Sequence, residues 1–221
     1  MDEVDIHERR RISDGRMATV EDADFHRFEG VHLIGEGHAD LVERGAAGLV
    51  IGNNVLAHVP DINDFVAGIT TLLGPEGVAT LEFPHLLELV LKRQFDTVYH
   101  EHFSYLSLGT VKRIFDAAGL RVHDVQTLGT HGGSLRVFAQ CSDTGSHLVS
   151  SRVDDLLSRE TLAGMSCIAF YQGFQEHAER VKNDFVAFLV EQKKFGKLVV
   201  GYGAAAKGNT LLNFAGVKSD L

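Results

Sequence analysis

The sequence has no tryptophan, three prolines and two cysteines. Cys141 and Cys167 form neither a CxxC pair nor a metal-ligand spacing, which excludes a disulfide framework and a cysteine-built metal site. They read as buried reduced thiols, in keeping with a cytoplasmic, reducing compartment. No apolar run reaches membrane-spanning length, and no basic-then-apolar leader opens the chain. Positive charge is scarce too. Lys and Arg number 21 against 30 Asp and Glu, a formal charge of −9, which argues against a nucleic-acid-binding surface and leaves room for a small anionic ligand. Internal repeats and low-complexity tracts are missing as well. What is present, 44% hydrophobic and 23% charged residues over 221 positions, suits one globular domain, or one domain and part of another.

Residues 1–45 are charged and show little sustained period. His7, His26, His32 and His38 are scattered, not set at ligand spacing, so no metal is expected there. Gly35–His38, GEGH, lacks the third glycine and preceding apolar run of a nucleotide-binding turn. Order begins at Ala46. AAGLVIGNN reads as a buried parallel strand ending in Gly52–Asn54. Pro60 and Asp61 open a helix whose apolar positions Ile62, Phe65, Val66, Ile69, Leu72 and Leu73 recur at helical spacing, and Gly74–Pro75 stop it. GVATLEFPH follows as a second strand, so a right-handed β-α-β crossover is expected. TVKRIFDAAGL is an amphipathic helix closed by Gly119, and LRVHDVQTL and SLRVFAQ are alternating strands joined by GTHGG in an edge hairpin. Residues 142–157 read as loop, Ser158–Lys194 as a long helix with Phe170, Phe174, Ala178, Val181, Phe185 and Leu189 on one stripe, and the final stretch as strand, small-residue turn and helix. The expected architecture is therefore α/β: residues 46–141 form a partial doubly wound, Rossmann-like sheet ending in an antiparallel hairpin. Residues 142–221 form a helical connector and the start of a second α/β domain.

The densest chemistry lies in Gln94–Tyr105, QFDTVYHEHFSY. Tyr99, His100, Glu101 and His102 are consecutive proton-handling groups, with Tyr105 one helical turn on, and imidazole titrates near neutral pH. Ligands of open α/β sheets bind past the carboxyl ends of the strands. Asn53, Asn54 and His58 follow the first clear strand, and Glu82 and His85 the second, so these groups are expected to converge with the YHEH loop. Glu82 also fits a pairing role at the strand end, and His85 and His131 fit capping or turn roles equally well.

NNVLAHVPDINDFVAGI, EFPHL, QFDTVYHEHFSYLS, AGLRVHDV, THGGSLRVF and YGAAAKGNTLLN together resemble the S-adenosylmethionine-dependent sugar C-methyltransferases, built on the class I methyltransferase fold. The likeness runs from about Ala46 to Leu221. It implies methyl transfer from S-adenosylmethionine to a carbon beside a ketone in a nucleotide-linked deoxysugar. It implies that His102 is the general base, that Tyr99 hydrogen-bonds the sugar and holds the enolate, and that Glu101 and His58 face the same pocket. Asn53 and Asn54 match residues along the methionine moiety of the cofactor. Tyr202, Lys207 and Asn209 match receivers of the nucleotide diphosphate, and His131 is a further candidate for binding substrate. A base supported by a neighbouring carboxylate and phenol suits removal of a weakly acidic proton.

The resemblance also has gaps. The glycine-rich cofactor loop, the acidic ribose ligand and the cysteine-rich zinc module of full-length relatives have no match in this sequence. The expectation is an internal piece of the family's fold, weakly stable and a poor cofactor binder by itself. Two rivals stay open: a partner or remnant chain without catalysis, and an epimerase-type nucleotide-sugar enzyme, which needs a nicotinamide-binding glycine motif. The sugar, the carbon methylated and the oligomeric state are not fixed by these residues.

Overall fold

The computed structural model describes residues 17–20, 47–203 and 206–219. His7, His26, His32, His38 and the Gly35–His38 stretch lie outside the described residues. A five-stranded mixed sheet, ordered β1-β2-β3-β5-β4, organises the rest. Its strands are β1 Met17–Val20, β2 Ala47–Asn53, β3 Leu73–Pro84, β4 Leu120–Leu128 and β5 Ser134–Cys141. β1, β2 and β3 pair in parallel, and β5 runs antiparallel to both β3 and β4. β1 was not legible in the charged opening segment.

Helix α1, Ile62–Leu72, connects β2 to β3 as the helical period requires. Asp61 caps it by accepting from the amides of Asn63 and Asp64 at 3.1 and 3.0 Å, and Phe65, Val66 and Ile69 turn inward. A six-residue helix α2, Leu86–Leu91, leaves β3, and the YHEH segment follows it. Helix α3, Leu108–Ala117, then buries Leu108, Val111 and Phe115 on one face against the sheet core. It ends at Gly119, whose φ of +79° is the left-handed exit that glycine permits. The β4–β5 hairpin turns through residues 130–132, where His131 itself adopts φ +53°.

The connector departs from expectation. It is two helices, α4 Ser151–Leu162 and α5 Phe174–Lys194, not one helix from Ser158. Ser150 caps α4 inside the segment read as loop, and Gly164 and Gly173 take left-handed φ of +79° and +78° between the two helices. Of the expected stripe only Ala178 and Leu189 are buried, and Val181 is exposed. Residues 197–203 pair with no strand among the described residues, and Leu198 and Val200 are open to solvent. The expected closing strand is therefore not formed, although its helix, α6 Ala206–Ala215, is. Cys167 is exposed and Cys141 half-buried, correcting the reading of both as buried. No helix of the described residues is long and apolar enough to cross a membrane.

Candidate active site

Parallel pairing of β2 and β3 brings their carboxyl ends side by side, and the candidate site is built there. Just past β2, Asn54 takes φ +57°, a conformation that Asn tolerates better than most residues. Its amide donates to the Glu82 carbonyl at 2.7 Å, and its buried side-chain Oδ1 meets no donor among the described residues. Asn53 beside it is exposed.

The next turn, Val55–Val59, is anchored by buried Val55, Leu56, Ala57 and Val59. The Ala57 carbonyl accepts from the amides of Phe103 and Ser104 at 2.9 and 3.1 Å, tying the YHEH loop to this turn. The tie places the His58 and His102 rings edge to face, 4.6 Å between centroids.

His102 is held at both nitrogens. Nδ1 lies 2.9 Å from the Thr97 carbonyl oxygen, and a carbonyl can only accept, so Nδ1 carries the proton. Nε2 is then the lone-pair nitrogen, and the Tyr99 hydroxyl donates to it at 3.3 Å. Burial lowers the His102 pKa, and the charges of His58 and Lys207 lower it further. The Thr97 bond and Glu101 oppose them without restoring the ordinary value. The ring is thus kept neutral with a basic nitrogen ready. The Tyr105 ring lies 6.0 Å from His102, and burial pushes its phenol up against a smaller opposing bond to the Tyr99 backbone.

Glu101 does not support the base directly. Its side chain is exposed and pairs at 3.9 Å with the still more exposed His100, because consecutive residues of this turn project in different directions. The orienting partner is the Thr97 carbonyl, a backbone group that leaves no mark in a side-chain motif. Glu82 is a structural residue: it accepts from Arg136 at 2.7 Å and from the Thr130 hydroxyl at 2.8 Å. His85 is buried and bonded to Glu160 at 2.8 Å.

From the C-terminal helix, Phe214 packs on Phe95 at 5.5 Å between ring centroids and Lys207 reaches the hairpin turn. Lys207 Nζ donates to the His131 carbonyl at 3.4 Å, and its charge is felt at His102. His131 is exposed on the hairpin turn, which Lys92 and Gln94 also hold through the Gly132 carbonyl, at 2.7 and 2.9 Å. Tyr202 and Asn209 are exposed, and no hydrogen bond among the described residues joins either to the cluster. His58, Tyr99, His102 and Lys207 are brought together; Glu101, Tyr202 and Asn209 are not.

A methyltransferase-domain family matches residues 4–125. The chain belongs to that methyltransferase family. Residues 129–221 match the C-methyltransferase C-terminal domain, so the two matches meet inside the β4–β5 hairpin and the first takes in the opening segment that seemed unrelated. The chain is 40% identical over 181 residues to C-methyltransferase NovU of Streptomyces niveus, covering 82% of this chain and 43% of the relative. It therefore spans less than half the length of that relative. Two solved structures are also similar. One is the 1,6-didemethyltoxoflavin-N1-methyltransferase of Burkholderia thailandensis with bound S-adenosylhomocysteine, at 16% identity over 44% of each chain and a TM-score of 0.35. The other is the magnesium protoporphyrin IX methyltransferase of Synechocystis PCC 6803, at 17% identity over 45% of this chain and 48% of the other, also with a TM-score of 0.35. Likeness at that level carries no argument about the site.

Proposed function

We propose that this chain carries the base-bearing half of a C-methyltransferase acting on the carbon beside the ketone of a nucleotide-linked deoxysugar. The single observation that carries the reading is the tautomer of His102, with Nδ1–H on the Thr97 carbonyl and the basic lone pair on Nε2, where the Tyr99 hydroxyl donates. The family resemblance of the YHEH and THGG segments and the likeness to a protein named as a C-methyltransferase support the same reading.

S-adenosylmethionine, the methyl donor of this family, supplies an electrophilic sulfonium methyl when bound. Asn54 fits its amino-acid end: the buried Oδ1 without a donor is an acceptor waiting for an ammonium, and Asn53 lies alongside. Among the described residues no three His, Cys, Asp or Glu side chains are grouped to hold a metal ion.

The chemistry asked of the chain is proton removal. His102 Nε2 takes the proton alpha to the ketone; the C–H pair flows into the carbonyl and leaves an enolate. For this the Tyr99 hydroxyl first turns from Nε2 to the substrate carbonyl oxygen, which frees the lone pair of Nε2 and leaves the hydroxyl donating to the enolate. His58 packs edge to face on His102 and keeps its ring in place beside the substrate. Lys207 above the His131 carbonyl attracts the diphosphate, which sets the sugar over the base. Glu101, Tyr202 and Asn209 are surface groups that reach substrate only if it extends past this cluster.

The test is exchange of the α-proton of a nucleoside diphosphate-linked keto-deoxyhexose in heavy water, followed by proton NMR. The chain is expected to catalyse exchange without cofactor, and His102→Gln to slow it by about a hundredfold or more. Unaltered exchange in His102→Gln, or none in the wild type, refutes the assignment.

A further inference from the structure

Helix α4 breaks a local rule. Its buried stripe is Val153, Leu156 and Glu160, at helical spacing, so a carboxylate occupies a core position. Glu160 is 6% exposed. An ionised carboxyl tolerates such burial only when its oxygens are fully bonded. They are. Oε1 accepts from His85 Nε2 at 2.8 Å and from the Leu108 amide at 2.6 Å, and Oε2 accepts from the Gly109 amide at 2.9 Å.

These two amides are the first of α3 and have no partner within the helix. Ser107 supplies the rest of the cap, its Oγ accepting from Thr110 and its carbonyl from Val111. Glu160 therefore completes the helix N-terminus from another element and places negative charge at its positive end. Its second contact, His85, directly follows β3 and forms a parallel bridge with Leu106, where the Leu86 amide donates to the Leu106 carbonyl at 2.9 Å.

Both contacts act on one piece of chain. Residues 98–107 carry Tyr99, His102 and Tyr105. Midway, the amides of Phe103 and Ser104 tie this loop to the Ala57 carbonyl. Its exit, Leu106–Gly109, is tied by the bridge beside His85 and by the carboxylate of Glu160. We propose that Glu160, with His85 as its orienting partner, is the positioning residue that holds the base-bearing loop in register with Ala57, so that His102 keeps Nδ1 on the Thr97 carbonyl. The inference rests on His102 being the base of the proposed reaction, but its first readout does not need that reaction. It also makes the connector, not the sheet alone, responsible for the geometry of the site.

Glu160→Gln keeps the shape and replaces one acceptor oxygen by a donor facing amide or imidazole N–H. Nitrogen NMR of the histidine side chains in the full chain reads the His102 tautomer directly. The wild type is expected to show the Nδ1–H form. Glu160→Gln is expected to show a second population with the proton on Nε2, together with α-proton exchange slowed ten- to a hundredfold at unchanged half-saturating substrate, about the penalty of a small displacement. An unchanged His102 tautomer in folded Glu160→Gln overturns the proposal. A shifted tautomer in a chain whose wild type exchanges nothing keeps the strut and discards the reaction. Should Glu160→Gln not fold, His85→Gln, which leaves both amide bonds to Glu160, is read in the same way. Loss of folding in both overturns the proposal in favour of a scaffold role.

Discussion

The pair between Glu82 and Arg136 offers a test in which burial, not contact count, sets the outcome. Glu82 is 5% exposed, whereas 34% of the Arg136 side chain reaches solvent. Removing one partner of a buried pair costs about 3–5 kcal/mol when the other charge is stranded, and about 1 kcal/mol or less when it can turn to water. Arg136→Ala strands Glu82 with the Thr130 hydroxyl, at 2.8 Å, as its one remaining side-chain donor among the described residues. Because water can follow into the space left by a side chain already one-third exposed, the expected loss is discounted to about 2–3 kcal/mol. Glu82→Gln leaves Arg136 free to swing outward and keeps an acceptor for Thr130, so it is expected to cost about 1 kcal/mol. Arg136→Met separates the lost charge from the lost stem and is expected to resemble Arg136→Ala within about 1 kcal/mol. Equilibrium urea unfolding at neutral pH, followed by circular dichroism, ranks the three. Glu82→Gln proving as costly as Arg136→Ala refutes the assignment of the buried charge. The same comparison reports on the site, since Thr130 begins the turn whose His131 carbonyl meets Lys207.

Two further outcomes follow from the geometry. His102 has its pKa lowered in the fold, chiefly by burial, so the unfolded chain binds its proton more readily. Its contribution to stability is complete above the unfolded value of about 6.5 and is lost as pH falls through the lower folded value. Unfolding free energies measured across that range are expected to fall more steeply for wild type than for His102→Gln, and identical slopes contradict the buried neutral imidazole. Gly77 on β3 faces the backbone of β2: a Cβ there would lie 2.4 Å from the Ala47 carbonyl oxygen. Gly77→Ala is expected to cost about 1–3 kcal/mol, measured by thermal or urea unfolding, and a neutral effect shows that the two strands separate there easily.

The sequence alone determined the elements whose causes are local. Apolar runs stopped by polar residues marked β2 and β3, Asp61 and the spacing of Phe65, Val66 and Ile69 marked α1, and GTHGG between alternating strands marked the hairpin. The proton-handling character of Tyr99 and His102 was equally plain, because residue type carries it. Tertiary structure decided the partnerships. Nothing local says that the Thr97 carbonyl orients His102, that Glu101 faces solvent while Glu82 and Glu160 are buried, or that Ala57 clamps the loop; each depends on which segments the sheet order brings together. The breaks at Gly164 and Gly173 and the unformed strand at 197–203 have the same origin, since an apolar pattern becomes a helix stripe or a strand only where another surface covers it.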